Sequence, residues 1–504
     1  MMQKLAYVCF AICISGLIGC SASRQAFDPQ HKYPKKQLQK DYTVFRKVLE
    51  ESHPSLYWFT PKDSMDYFFD DGFRHLNDSM TEVQFRNVLS YVVSKIHCGH
   101  TAVKYSKQYN KYLDTANIKM FPLSFKVWSD SMVITANINR KDSILRFGTI
   151  VTAIDGYSTR QLTDSFMNYI SGDGNSISGK YQSLSNSGAF GSLYRNVMGM
   201  KDQVAVTYLD STGAEQTVSV PVFDPSLKDT TKKAAGTNKP AVKPPKEGGH
   251  NNLQYASRYV QIDTTLSSAY MTLHTFARGN KLRSFYRKVF RELHRRNIQH
   301  LVVDVRTNGG GDAGLSTLLT RYLADKKFKL ADSLYAVRRS SKYHKYISWQ
   351  PFYWSLTQFV THKEKDGKYH FGYFERHYFH PKKKHHYDGN VYLVTGGNSF
   401  SATTLFVKSL QGQPNVKVIG EETGGGAYGN TAWMIPDVTL PNTRVRFRLP
   451  KFRLVMDKNL VKDGRGIIPD IQVSPTRETI RRGIDPKAAV IRGMIMHKIG
   501  VAQQ

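Results

Sequence analysis

Apolar positions recur at helical spacing near the start of the chain. Leu38, Tyr42, Phe45 and Leu49 share one helical face, and Pro54 ends the pattern. A second stripe runs through Phe85, Val88, Leu89, Val92, Val93 and Ile96. It predicts a helix with Thr81 as N-cap and Gly99 as C-terminal stop. His100 then falls at a helix-to-strand corner, before a strand-like run at 101–105. From about 118 to 223 the pattern changes to short alternating runs around Val133-Ile134 and Thr149-Ile150-Val151, with Asp155-Gly156 as a turn signal. That stretch predicts a small β-rich domain.

The segment 224–252 breaks every period. It carries six lysines with several Pro and Gly and no aromatic residue, so it reads as a flexible linker. Beyond it the pattern becomes repeated β-turn-α units. Tyr270 to Leu273 predicts a strand, and Phe285, Val289, Phe290 and Leu293 mark a helix. The buried run 301–305 leads into Asn308-Gly309-Gly310-Gly311 and a helix over 313–323. The run 391–394 leads into a Gly/Asn turn and a helix over 402–410. Such units predict an α/β domain. Asp485 caps a last helix whose first residue is Pro486.

At 504 residues, about three domains are expected, at roughly 100–200 residues each. With 40% hydrophobic and 22% charged residues, the chain is neither disordered nor a multi-span membrane protein. The net charge of +31 predicts attraction to anionic surfaces or partners. The first 19 residues carry one charge, Lys4, and an apolar run over 5–18, too short to span a bilayer at the usual ~20 residues. The run closes with Leu17-Ile18-Gly19-Cys20, which resembles a bacterial lipobox. The resemblance implies lipidation of Cys20 as the first mature residue and a place in the bacterial cell envelope, facing the periplasm or on the outer membrane. It discards Cys9 and Cys13 and leaves Cys98 as a lone thiol.

Three features carry candidate chemistry. Gly397-Asn398-Ser399-Phe400-Ser401-Ala402 places serines between a buried strand and a helix start, where free N–H groups favour a developing oxyanion. The competing reading is a helix cap. The glycines after Asn308 can bring backbone N–H groups close to a ligand; without a following Gly-Lys-Ser/Thr they are no Walker loop. They suit an oxyanion hole shared with the Ala402 N–H. His100 is the candidate general base, with metal binding disfavoured because no second Cys/His pair accompanies it.

Taken in order, Cys98-Gly99-His100-Thr101, the β-rich stretch around 147–156, the run 301–311, Asn398 to Phe406, the run 420–425 and Gly466 to Ile471 resemble the S41 family of serine peptidases, the C-terminal-processing and tricorn-core peptidases. The likeness spans roughly 36–497. It implies an α/β, crotonase/ClpP-like ββα core with a helical N-terminal region and a PDZ-like β-domain, and no cofactor. By residue, it implies Ser401 as nucleophile, with Ser399 as alternative, and Gly309, Gly310 and Ala402 as the oxyanion hole. One branch pairs its serine with a lysine about 25 residues on; here no lysine occurs from 424 to 450. The other branch implies His100 as base and Asp463 as the orienting acid, with Glu422 as runner-up. That branch also has a serine just before the histidine, where Gly99 stands here, so Thr101 is left as a candidate bridge.

The implied division is a signal peptide at 1–19, a tether at 20–35, a helical region at 36–105, a PDZ-like domain at 106–223, the linker at 224–252, a catalytic core at 253–475 and a C-terminal helix at 476–504. Within the core, 337–387 holds 11 Lys/Arg, three acids, seven His and 14 aromatics. That insertion reads as a packed excursion with a solvated basic edge, or as a lid or cleft wall near the Ser401 helix that favours acidic or aromatic peptides. Its basic edge could touch anionic lipid near the Cys20 anchor. Nucleic acid is not expected as a partner. The expected activity is a membrane-anchored serine endopeptidase acting on peptides or unfolded protein tails. The alternatives are an inactive peptide-binding scaffold on the same fold, or a hydrolase of non-peptide esters or amides.

Overall fold

The computed structural model describes residues 27–227 and 257–502. The signal-peptide segment, Cys20 and most of the 224–252 linker lie outside the described residues. The protein is a mixed α/β molecule. Its central sheet runs in the order Arg258–Asp263, Ser268–Leu273, His300–Asp304, Asn390–Thr395, Val416–Gly420, Ile471–Gln472. The first pair is antiparallel and every later pair is parallel. The strands His300–Asp304 and Asn390–Thr395 are almost wholly buried, as parallel strands covered on both faces must be. Helices Ala313–Leu323 and Ala402–Leu410 begin and end where the pattern of apolar residues put them. Asp312 caps the first through the Leu315 N–H.

The N-terminal helices are Lys35–Ser52, Lys62–Arg74 and Glu82–Ser94. Thr81 caps the last of these with a full capping box to Gln84. The stop is not at Gly99. The helix ends at Ser94, and His97 takes the left-handed conformation at φ 55°. Gly99 is required for another reason. A Cβ on it would lie 2.7 Å from the Phe400 ring.

These helices do not form a core of their own. Phe45, Leu49 and Val92 share one apolar cluster with Val438, Val445, Phe447 and Leu449. The strand Val103–Lys104 pairs with Arg446–Arg448. His100 is thus carried against the C-terminal half of the chain by contacts remote in sequence.

The β-rich stretch forms a sheet in the order Leu123–Val127, Met132–Asn137, Ile150–Ile154, Gln203–Leu209, Glu215–Pro221, all antiparallel. The alternation marked the region as β-rich and named the strands Met132–Asn137 and Ile150–Ile154, but not the other three, nor the helices Thr159–Met167, Ser178–Ser185 and Ala189–Met198 between them. The loop before Ser178 turns out to matter most for the site.

Candidate active site

The strand Asn390–Thr395 ends in a Gly396-Gly397 turn that must stay narrow. Gly397 packs against the Ser178 carbonyl, and Gly424 packs against Gly397. Ser399 is fully buried; its hydroxyl donates to the Val305 carbonyl at 2.8 Å and accepts from the Gly396 N–H. It is a strut of the turn, which removes it as an alternative nucleophile. Ser401 differs on each count. It is partly exposed, its backbone is held at φ 59° and ψ −121°, and its hydroxyl caps no amide of the helix behind it. Left-handed backbone at a non-glycine residue costs about 1–3 kcal/mol and persists only where the surroundings enforce it. Here Phe400 N–H donates to the Asn308 carbonyl, and Gly310 lies against Phe400 and Ser401. A Cβ on Gly310 would sit 2.8 Å from that of Ser401.

The Ser401 hydroxyl lies 2.9 Å from Nε2 of His100, across 301 residues of sequence. The Phe400 ring covers the imidazole at 4.6 Å between centroids. Burial, with a smaller push from Arg448, lowers the His100 pKa to about 3. The ring is therefore neutral over the working range, with Nε2 free to accept the Ser401 proton. Its other nitrogen, Nδ1, is buried with no hydrogen-bond partner among the described residues.

Asp463 is not that partner. Its carboxylate accepts from the Arg465 N–H of its own turn, and its carbonyl accepts from the Asn175 side chain. Glu422, the runner-up, is held by the Arg465 guanidinium and the Gly466 N–H. The Thr101 hydroxyl goes to His53 instead, at 2.8 Å. The carboxylate that does reach this corner is Asp173, from the loop before Ser178. Its Oδ1 accepts from the Gly99 N–H at 2.7 Å, and its Oδ2 is buried and unpartnered. Burial raises its pKa to about 6, against the pull of the Gly99 and Gly426 amides and of Arg453. The 463–464 turn supports this loop, because the Gly464 carbonyl accepts from the Asn175 N–H. No motif marks Asp173; the turn-like Gly172-Asp173-Gly174-Asn175 was its only trace in the sequence.

The glycine turn is also corrected in one respect. The Gly310 N–H donates to Asn308 Oδ1 at 2.9 Å and is not free for an oxyanion. The N–H groups of Gly309, Gly311 and Ala402 have no partner among the described residues. Gly311, Ser401 and Ala402 open onto a cleft of about 1380 Å³. The 337–387 insertion supplies part of its wall through Tyr373, Phe374 and Phe379. Its lysine run 382–384 does not line the cleft.

Residues 267–473 match the family model of Peptidase family S41. This region is an S41 peptidase domain. It holds Ser401, the glycine turn and both strand-turn-helix units, and the protein is a serine peptidase, a hydrolase. The fold extends well beyond the matched region. Mature CPAF superposes with a TM-score of 0.63 at 14% identity, over 92% of this chain and 96% of that one. Mature CPAF complexed with lactacystin gives 0.62 at 13%, over 92% and 98%. At that identity the likeness speaks for the fold. No curated protein matches the chain. In this peptidase His100 and Asp173 lie outside the matched residues, delivered by the N-terminal helices and the β-rich region.

Proposed function

We propose that the protein is a lipid-anchored serine endopeptidase of the bacterial cell envelope, cleaving peptides or unfolded protein tails through an acyl-enzyme. The observation that carries the reading is the Ser401–His100 contact at 2.9 Å, made by a serine that caps nothing. Neutral His100 takes the Ser401 proton as Oγ attacks the scissile carbonyl. The oxyanion is received by the N–H groups of Ala402 and of Gly309 and Gly311. His100 then protonates the leaving amine, and water repeats the cycle in reverse to release the acid.

In the imidazolium stage Nδ1–H needs an acceptor. We assign that place to Asp173 rather than Asp463, because Asp173 is buried against the Gly99 N–H, next in sequence to His100, and its Oδ2 and the His100 Nδ1 each lack a hydrogen-bond partner among the described residues. An inactive scaffold would have no use for a strained, partly exposed serine held against a neutral imidazole.

Anchoring rests on the lipobox-like Leu17 to Cys20. Among the described residues no helix is long and apolar enough to cross a membrane. The basic surface would add attraction to anionic headgroups. The antiparallel sheet of the β-rich region has edge strands at Leu123–Val127 and Glu215–Pro221. The first is covered by the helix Ser178–Ser185, and the exposed Glu215–Pro221 edge is where a PDZ-like domain would add a peptide strand.

The test is labelling with a fluorophosphonate. Wild type should label; Ser401→Ala should not, and His100→Gln should label slower by about 10²-fold or more. Equal labelling of wild type and Ser401→Ala, with both folded, overturns the assignment. Metabolic labelling with an alkyne fatty acid, lost in Cys20→Ala, tests the anchor.

A further inference from the structure

The cleft beside Ser401 is strongly one-sided in charge. It is lined by Arg278, Lys281, Arg283, Arg287 and Arg321, against a single carboxylate, Asp312. Asp312 is already committed, capping the Ala313–Leu323 helix and pairing with Arg278. Lys281, Arg283 and Arg287 make no ion pair among the described residues and are exposed. The arrangement follows from helix geometry. Arg283 and Arg287 are four residues apart on the Leu282–Arg295 helix, so they share a face. Ala313, Thr317 and Arg321 form the matching stripe on the next helix. The opposite wall is apolar, with Phe374 edge-on to Trp433 at 4.8 Å.

We propose that this cleft selects peptides by their carboxylates, seating an acidic side chain or the chain-terminal carboxylate on Arg283, Arg287 and Lys281. Guanidinium groups bind carboxylates in a two-pronged fashion. Unpaired cations in a recess also raise the local concentration of anionic ligands. The inference rests on Ser401 as the reactive serine of this cleft. It attributes substrate choice to residues 278–287, whereas the lysine run of the insertion, bonded to the Arg321 carbonyl through the Lys382 N–H, does not line the cleft.

The experiment reads binding, so it does not depend on turnover. Fluorescence anisotropy of labelled peptides is measured on full-length Ser401→Ala protein at low and at physiological salt. One peptide carries Asp and Glu, one has Asn and Gln in their place, and each is made with a free and an amidated C-terminus. About tenfold tighter binding of the carboxylate-bearing forms is expected, shrinking as salt is added. A response to side-chain charge alone, or to the chain end alone, identifies which carboxylate is read; either supports the proposal.

The preference should collapse in Arg283→Gln/Arg287→Gln and persist in Lys382→Gln/Lys383→Gln/Lys384→Gln. Equal affinity for all four peptides overturns the proposal. So does a preference that survives the arginine pair but falls with the lysine run, since general charge would then explain it. Fluorophosphonate labelling of the wild type decides the Ser401 reading separately.

Discussion

Asp173 carries the most specific consequence at the scale of single residues. Its carboxyl titrates at about 6, while His100 titrates at about 3. Activity should therefore rise as pH increases through about 6, when Asp173 ionises and can hold the imidazolium. The His100 limb lies too low to be seen. Asp173→Asn keeps the shape and removes the charge, so kcat should fall by about 10²–10⁴-fold and the limb near pH 6 should vanish. A merely structural loss would lower the whole profile without moving that limb. Asp463→Asn should leave kcat within about twofold, because its carboxylate serves only its own turn. Gly99→Ala tests the packing of the base. A Cβ there runs into the Phe400 ring that covers His100. Overpacking of this kind costs about 1–3 kcal/mol of stability, and an ångström of displacement at the base costs up to about 10²-fold in kcat.

The elements show why parts of this molecule were readable and parts were not. The strand-turn-helix units at 300–323 and 390–410 were legible because both faces of each strand are buried and each helix starts at a marked turn. Ser401 and His100 were legible as types at the right corners, though their contact was not, since it is made through the Val103–Lys104 and Arg446–Arg448 pairing. Asp173 was hidden because a single carboxylate in a polar loop has no period. The cleft cations were hidden because Arg283 and Arg287 look like any exposed helix face until the facing helix is in place. The C-terminal helix Pro486–Ala502 makes a prediction of its own. Lys487 is buried and donates to the Thr395 carbonyl at 2.9 Å and to Glu421 at 2.7 Å. It ties the helix to the end of the strand that leads to Ser401. Lys487→Ala leaves Glu421 with Lys126 alone, at 3.2 Å, and should cost about 1–3 kcal/mol, read as a lower urea midpoint. Lys487→Met, which keeps the stem, should recover part of that loss.

At the scale of the whole molecule, the site is a seam where three parts of the chain meet, and its buried groups set how the fold responds to acid. His53 and His100 are both pushed to about 3 by burial. His53 accepts the Ser55 N–H at Nδ1 and meets Thr101 through Nε2, an arrangement that needs the neutral ring. Between about pH 6.5 and 3 the unfolded chain binds a proton at each of these positions and the folded one does not. Stability therefore falls with falling pH across that window, by up to about 1.4 kcal/mol per pH unit for each ring. Asp173 acts in the opposite sense. Its folded value of about 6 exceeds the ordinary 3.8, so from about pH 6 down to 3.8 the folded state holds the extra proton and one ring's effect is offset. The expected profile, from urea unfolding at fixed pH, is a decline that begins near pH 6.5 and steepens below pH 4, where the offset ends. Asp173→Asn should make the decline steeper between pH 6 and 4, since nothing then opposes the two rings. His53→Gln should make it shallower over the whole window. A profile flat between pH 6.5 and 4 in the wild type, and unchanged in both variants, would mean that these rings are not neutral and buried at the seam.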